Sequence, residues 1–193
     1  NRARASRFYD AFLCEPFQPP AGGIPASSDE DNLIIDTQVR PGCAYCHAQL
    51  EPAAARWGRW AELGAAYLDP LRYPVMREDC QRCAQGQISC SLDCRFNYVT
   101  QSLSPSQQPY LGMLLAYEFR RPEHEAFVED GPSRMVYEAI ADGRLPRCTA
   151  RRAFEWLVGR EVHESEEPWL EQLAFEFTQG DFDYRSLVRA IVL

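Results

Sequence analysis

Eight cysteines lie in this 193-residue chain, at positions 14, 43, 46, 80, 83, 90, 94 and 148, and no other feature limits its folding as much. Thiols at that density are foreign to a reducing cytosol and point to an oxidising compartment or to bound metal. The length suits one well-packed domain, or two small ones sharing an interface. Hydrophobic residues at 46% and charged residues at 25% are globular proportions, which excludes wholesale disorder. The 28 acidic residues outnumber 20 basic ones, all of them arginine, for a net charge of -8. General nucleic-acid binding needs a basic surface and is excluded. The longest apolar run, Tyr110 to Tyr117, is far too short for a bilayer, so no membrane span is expected.

Two of the cysteines belong to Cys43-Ala44-Tyr45-Cys46-His47, a C-x-x-C-H pentapeptide. On a helical turn, positions i and i+3 share one face. Both thiolates then reach the two vinyl groups along one edge of a haem, and the spacing is the attachment signature of haem c. His47 follows as the proximal ligand, presenting an imidazole nitrogen to the iron. Pro41 and Gly42 stand just before it, which suits a helix beginning at the first cysteine. The pentapeptide has three rival readings. A thioredoxin-like dithiol needs a βαβ setting, and the surroundings here are helical. Half a zinc site, completed by His47 or the later cysteines, is a second. A plain disulfide beside an incidental histidine is the third.

The sixth ligand has five candidates: Met76, Met113, Met135, His124 and His163. Met76 is favoured, because Tyr73-Pro74-Val75-Met76 is an irregular stretch that can lay a thioether over the opposite haem face. Met113 and Met135 fall on expected amphipathic helices, where core packing is the better account. His124 and His163 are flanked by charged residues and read as solvated.

The six remaining cysteines form an even set. Cys80, Cys83, Cys90 and Cys94 make a C-x2-C-x6-C-x3-C cluster that suits either disulfides or a tetrahedral metal site. Haem c is attached outside the cytoplasm, where thiols oxidise, so disulfides are preferred. Cys14 and Cys148 complete the set, and six cysteines allow 15 connectivities, so the count does not fix their mutual pairing. Trp57, Trp60, Tyr67 and Tyr73 follow the haem motif and suit a haem crevice or plain core. Arg56, Arg59 and Arg72 suit haem propionates, with solvated surface as the default for each.

The fold class is mainly α. Helices are expected over Arg2 to Leu13, Cys43 to Gly64, Gln107 to Phe119, Ser133 to Ala141, Arg147 to Val158, Glu167 to Thr178 and Asp183 to Val192. Gly159 sits where a C-cap wants glycine, and Pro168 sits in a first turn. Leu33 to Val39 reads as a short strand or one helical turn. Two regions follow: a haem-binding region over residues 1–129, with a proline-rich loop and a cysteine-rich insertion, and a C-terminal helical segment over 130–193 packing on it. The chain opens at Asn1 without Met or leader, as expected of a processed chain or a segment of something longer.

Arg7-Phe8-Tyr9, Leu13-Cys14, the proline-rich loop and Cys43-x-x-Cys46-His47 together resemble the planctomycete-type cytochrome c-like proteins. Near the C-terminus, Asp130-Gly131, Arg147-Cys148, Phe154-x-x-x-Val158-Gly159-Arg160 and the run Asp183 to Val192 resemble the C-terminal domain of the same large proteins. The resemblance implies an exported haem-binding protein, often part of a longer multidomain polypeptide, with Cys43, Cys46 and His47 as attachment and axial positions. Two departures stand out. Leu50-Glu51-Pro52 replaces the family's Met-Asp-Pro, a change not expected to affect ligation, and residues 64 to 129 look like an insertion.

These observations lead to an exported, periplasmic or extracellular, monohaem cytochrome c-like helical domain that carries single electrons. Its acidic surface suits a redox partner with a basic docking face, or the remainder of a larger polypeptide or complex. A haem enzyme or small-ligand sensor with an open sixth site is the alternative.

Overall fold

Proline and glycine divide this chain into short helices, and a computed structural model describes it over residues 1–19, 21–24, 28–64, 66–102, 105–117 and 124–193. Helices dominate, and no strand occurs among the described residues. No helix there is long and apolar enough to cross a membrane. The helices are α1 (Arg2–Phe8), α2 (Ala44–Ala55), α3 (Glu78–Ala84), α4 (Leu92–Asn97), α5 (Glu125–Ala141), α6 (Arg144–Val158), α7 (Glu167–Gln179) and α8 (Tyr184–Val192). Two compact units result. One comprises Asn1–Ser6 and Phe17–Pro132, the other Arg7–Pro16 and Ser133–Leu193.

In the first unit, α2 ends at Ala55, earlier than the expected Gly64. The Trp57 amide donates to the Ala54 carbonyl and the Gly58 amide to that of Ala55, so the helix closes in tight turns. Gly58 is then packed so closely that a Cβ there would lie 2.7 Å from the Ala116 Cβ and 2.8 Å from a Val128 methyl. The core gathers Ala61, Leu68, Tyr98, Leu114 and Val128 around Cys80, Cys83 and Cys94. Disulfides Cys80–Cys94 and Cys83–Cys90 tie α3 to the segment that leads into and forms α4. Those bonds replace the core that two short helices could not build alone.

The helix expected over Gln107 to Phe119 does not form. Pro105–Tyr110 and Leu115–Tyr117 are short 3-10 stretches, and the Phe119 end lies outside the described residues, as do Pro20, Pro25 and Arg121 to Glu123. Between the turns the backbone is extended. The Arg77 amide donates to the Gly112 carbonyl, the Leu114 amide to that of Val75, and the Val99 amide to that of Met113. Gly112, at φ +83°, gives the bend that a helix would forbid. Leu33 to Val39 is likewise neither strand nor α-helix: a 3-10 turn over Asp31–Leu33 is followed by a turn closed by the Val39 amide on the Asp36 carbonyl.

The second unit follows its local signals more closely. α6 ends at Gly159, whose φ of 74° is left-handed, and α7 carries Pro168 in its first turn. Asp183 caps α8 by accepting from the Arg185 amide. Ala150, Ala153, Leu170, Leu173, Ala174, Phe177 and Leu187 form the shared core of these three helices. The 7–16 arm, in which α1 passes into a π-turn at Tyr9–Leu13, is bonded to α6 by the Cys14–Cys148 disulfide.

Candidate functional site

Six of the eight cysteines are thus spent on disulfides, and Cys43 and Cys46 alone stay as thiols. Their placement follows from the turn that starts α2. Gly42 takes φ +80°, the Ala44 amide donates to the Arg40 carbonyl, and the His47 amide donates to that of Cys43. The two sulfurs are therefore one helical turn apart, both partly exposed, with His47 next to the second.

His47 is held through its ring. Its Nδ1 lies 2.7 Å from the Glu51 Oε1, and the Thr37 hydroxyl stands 3.2 Å from the same nitrogen. A carboxylate oxygen only accepts, so in the neutral ring Nδ1 carries the proton and Nε2 keeps the lone pair. Glu51 is 6% exposed, and its Oε1 also receives the Arg2 Nε at 2.7 Å. A buried charge is tolerable when it is paired in this way. Two thiols on one turn, beside an imidazole with Nδ1 engaged and Nε2 unengaged among the described residues, make a donor set that fits a covalently held haem. The Glu51 contribution was absent from the expectations above, although its i,i+4 spacing from His47 is a readable helical signal. Thr37 carries no such signal.

The other expected residues fall elsewhere. Met76 is 45% exposed and pairs through its backbone with Met113, on the extended segments of the disulfide-braced region. Met113 packs against the core from an extended segment, and Met135 is buried. None of the hydrogen bonds, ion pairs or ring contacts of the described residues joins Met76 to Cys43, Cys46 or His47. His124, expected to be solvated, is instead buried, with its ring stacked 5.6 Å from that of Phe127. His163 is exposed and caps the turn at Glu164–Glu166.

Arg56 and Arg59 also depart from the expected solvated surface, for both are buried. Arg56 lies 4.3 Å over the Phe127 ring and 3.6 Å from Asp130, while Arg59 is bonded to Glu129 and to the Tyr73 carbonyl. Arg72 stays exposed against the Tyr73 ring. Trp57 keeps a buried indole N–H without a partner among the described residues.

The four-cysteine cluster offers no thiolate for zinc, because Cys80 is bonded to Cys94 and Cys83 to Cys90. A cavity beside the Cys14–Cys148 bridge is lined by Arg144, Arg147, Arg151 and Glu15. Each of its arginines already meets a carboxylate: Arg144 that of Asp142, and Arg147 and Arg151 that of Glu167. The cavity therefore has little positive charge to offer an anion. Compared with known protein families, curated proteins and solved structures, the chain matches none.

Proposed function

We propose that this chain is the haem-carrying part of an exported c-type cytochrome and passes single electrons between protein partners. The division of the cysteines carries the proposal. Six pair, and the two that stay free are those one turn apart beside His47. When bound, haem c supplies a one-electron ferric/ferrous couple. Cys43 and Cys46 would each add a thiol across a vinyl group, forming an S–C bond while the thiol hydrogen goes to the other vinyl carbon. His47 would present Nε2 to the iron.

Met76 is the proposed distal ligand. It is the methionine least committed to packing, whereas Met135 is buried and Met113 leans on the core. With -8 charges before any propionate is counted, the docking face suits a basic donor or acceptor protein. Disulfides suit an oxidising compartment, and export is part of the same proposal.

The test is intact mass and absorption of protein produced with haem-attachment machinery in the bacterial periplasm. Haem that stays on the polypeptide through denaturation, and is lost in Cys43→Ser/Cys46→Ser, is the expected result. A polypeptide with two free thiols and no haem, or with stoichiometric zinc, would overturn the proposal. A reduced protein that binds carbon monoxide would favour a haem enzyme or sensor over electron transfer. Met76→Ala with unchanged spectrum and potential would remove Met76 from the site.

A further inference from the structure

We propose that Glu51 is a positioning residue for His47, whose buried carboxylate takes a share of the Nδ1 proton, directs Nε2 to the iron and lowers the reduction potential. The inference rests on the haem proposal above and deepens it.

Three observations meet at one oxygen. The Glu51 Oε1 lies 2.7 Å from the His47 Nδ1, 2.7 Å from the Arg2 Nε and 3.4 Å from the Thr37 hydroxyl. The carboxylate is buried, so its hydrogen bond to the ring acts in a low local dielectric, where a charge-assisted bond is strong. The helix backbone fixes one end of the imidazole and Glu51 fixes the other, which leaves Nε2 a single direction.

The electronic consequence follows from the proton. An imidazole that gives part of its Nδ1–H to a carboxylate is a more basic ligand through Nε2. A more basic ligand favours the ferric charge over the ferrous one, which lowers the potential. Arg2 and Thr37 draw on the same Oε1 and limit the effect. An ordinary i,i+4 pair on a helix surface would need neither the burial nor the guanidinium of Arg2.

Potentiometric titration of the haem-loaded protein tests this with two variants. Glu51→Gln removes the charge, while Glu51→Asp keeps the charge for Arg2 and withdraws the oxygen from Nδ1. Both are expected to raise the midpoint potential, changing the oxidised-to-reduced ratio at fixed potential at least tenfold, or 59 mV for one electron. A wild-type potential in Glu51→Asp would overturn the proposal, since bare charge would then explain any effect of Glu51→Gln. If Glu51→Gln fails to fold, Glu51→Asp decides alone. Absence of covalent haem from the wild-type chain would instead refute the haem proposal itself, and mass reads that before any potential is measured.

Discussion

The guanidinium of Arg59 is buried against the carboxylate of Glu129, seventy residues further along, with its Nε 3.0 Å from one oxygen and 3.2 Å from the other. Its Nη1 donates to the Tyr73 carbonyl at 2.6 Å. Glu129 itself is half exposed, so the two partners are not equivalent. Removing Glu129 strands a buried cation, whereas removing Arg59 leaves an acid that water can reach. Glu129→Ala is therefore expected to cost about 3 kcal/mol, and Arg59→Met about 1 kcal/mol for the unpaired carbonyl. In urea unfolding the double variant should match Arg59→Met alone. A double variant as unstable as Glu129→Ala would refute this asymmetry.

Gly112 and Gly86 both hold left-handed backbone, at φ +83° and +74°. They differ in what surrounds them. A Cβ on Gly112 would lie 2.6 Å from the Gln81 Cβ and 2.8 Å from its backbone, while one on Gly86 meets open space. Gly86→Ala should cost about 1 kcal/mol from the backbone alone. Gly112→Ala must also push α3 away from the extended segment, and about 3 kcal/mol or more is expected. Chemical denaturation of the two oxidised variants, side by side, measures the difference. Equal costs would mean that the Gln81 contact yields without resistance.

These two glycines mark where the chain's pattern was and was not readable. The C-x-x-C-H turn, the Gly159 cap and Pro168 in its first turn are decided within four residues, and each takes its expected place. Cys14–Cys148 crosses 134 positions, and cysteine parity gave an even set without singling out this pair. The Gln107 to Phe119 helix failed because Gly112 and its backbone bonds to Arg77 and Val99 outweigh local propensity. Arg59 and His124 look like surface residues until Glu129 and Phe127 arrive from distant or crowded sequence. Glu51 is the exception, because its contact with His47 lies within one turn and was legible from spacing.

The Cys14–Cys148 and Cys80–Cys94 bonds span 134 and 14 positions, and loop entropy ranks them accordingly. Chain-entropy arithmetic assigns about 5 kcal/mol to the longer closure and about 3 kcal/mol to the shorter. Cys14→Ala/Cys148→Ala should therefore lower the urea midpoint more than Cys80→Ala/Cys94→Ala. It should also release the 7–16 arm, whose amides would lose protection from hydrogen exchange before those of α6. The opposite order of midpoints would show that burial of the Cys80–Cys94 sulfurs outweighs loop length.

Acid should act on the C-terminal unit through Glu166. Arg160 holds its two oxygens at 2.6 and 2.7 Å, and the His163 amide donates to one of them at 2.9 Å. The Arg160 fork foremost, and then that amide, bring the carboxyl from its ordinary 4.5 down to about 2. A group depressed in the folded state stabilises above its unfolded value and loses that contribution as pH falls through the folded one. The window is thus from 4.5 down to about 2. Glu167, held low by Arg151 and Arg147, and Asp183, held low by Ser186 and the Arg185 amide, lose stability in the same direction. Glu166→Gln should therefore flatten the acid limb of the unfolding curve only in part. Carbon-detected NMR of the Glu166 side chain should place its midpoint near 2, and Arg160→Met should raise it without restoring 4.5, because the His163 amide still donates. A wild-type midpoint in the ordinary glutamate range would remove the Arg160 fork from the account.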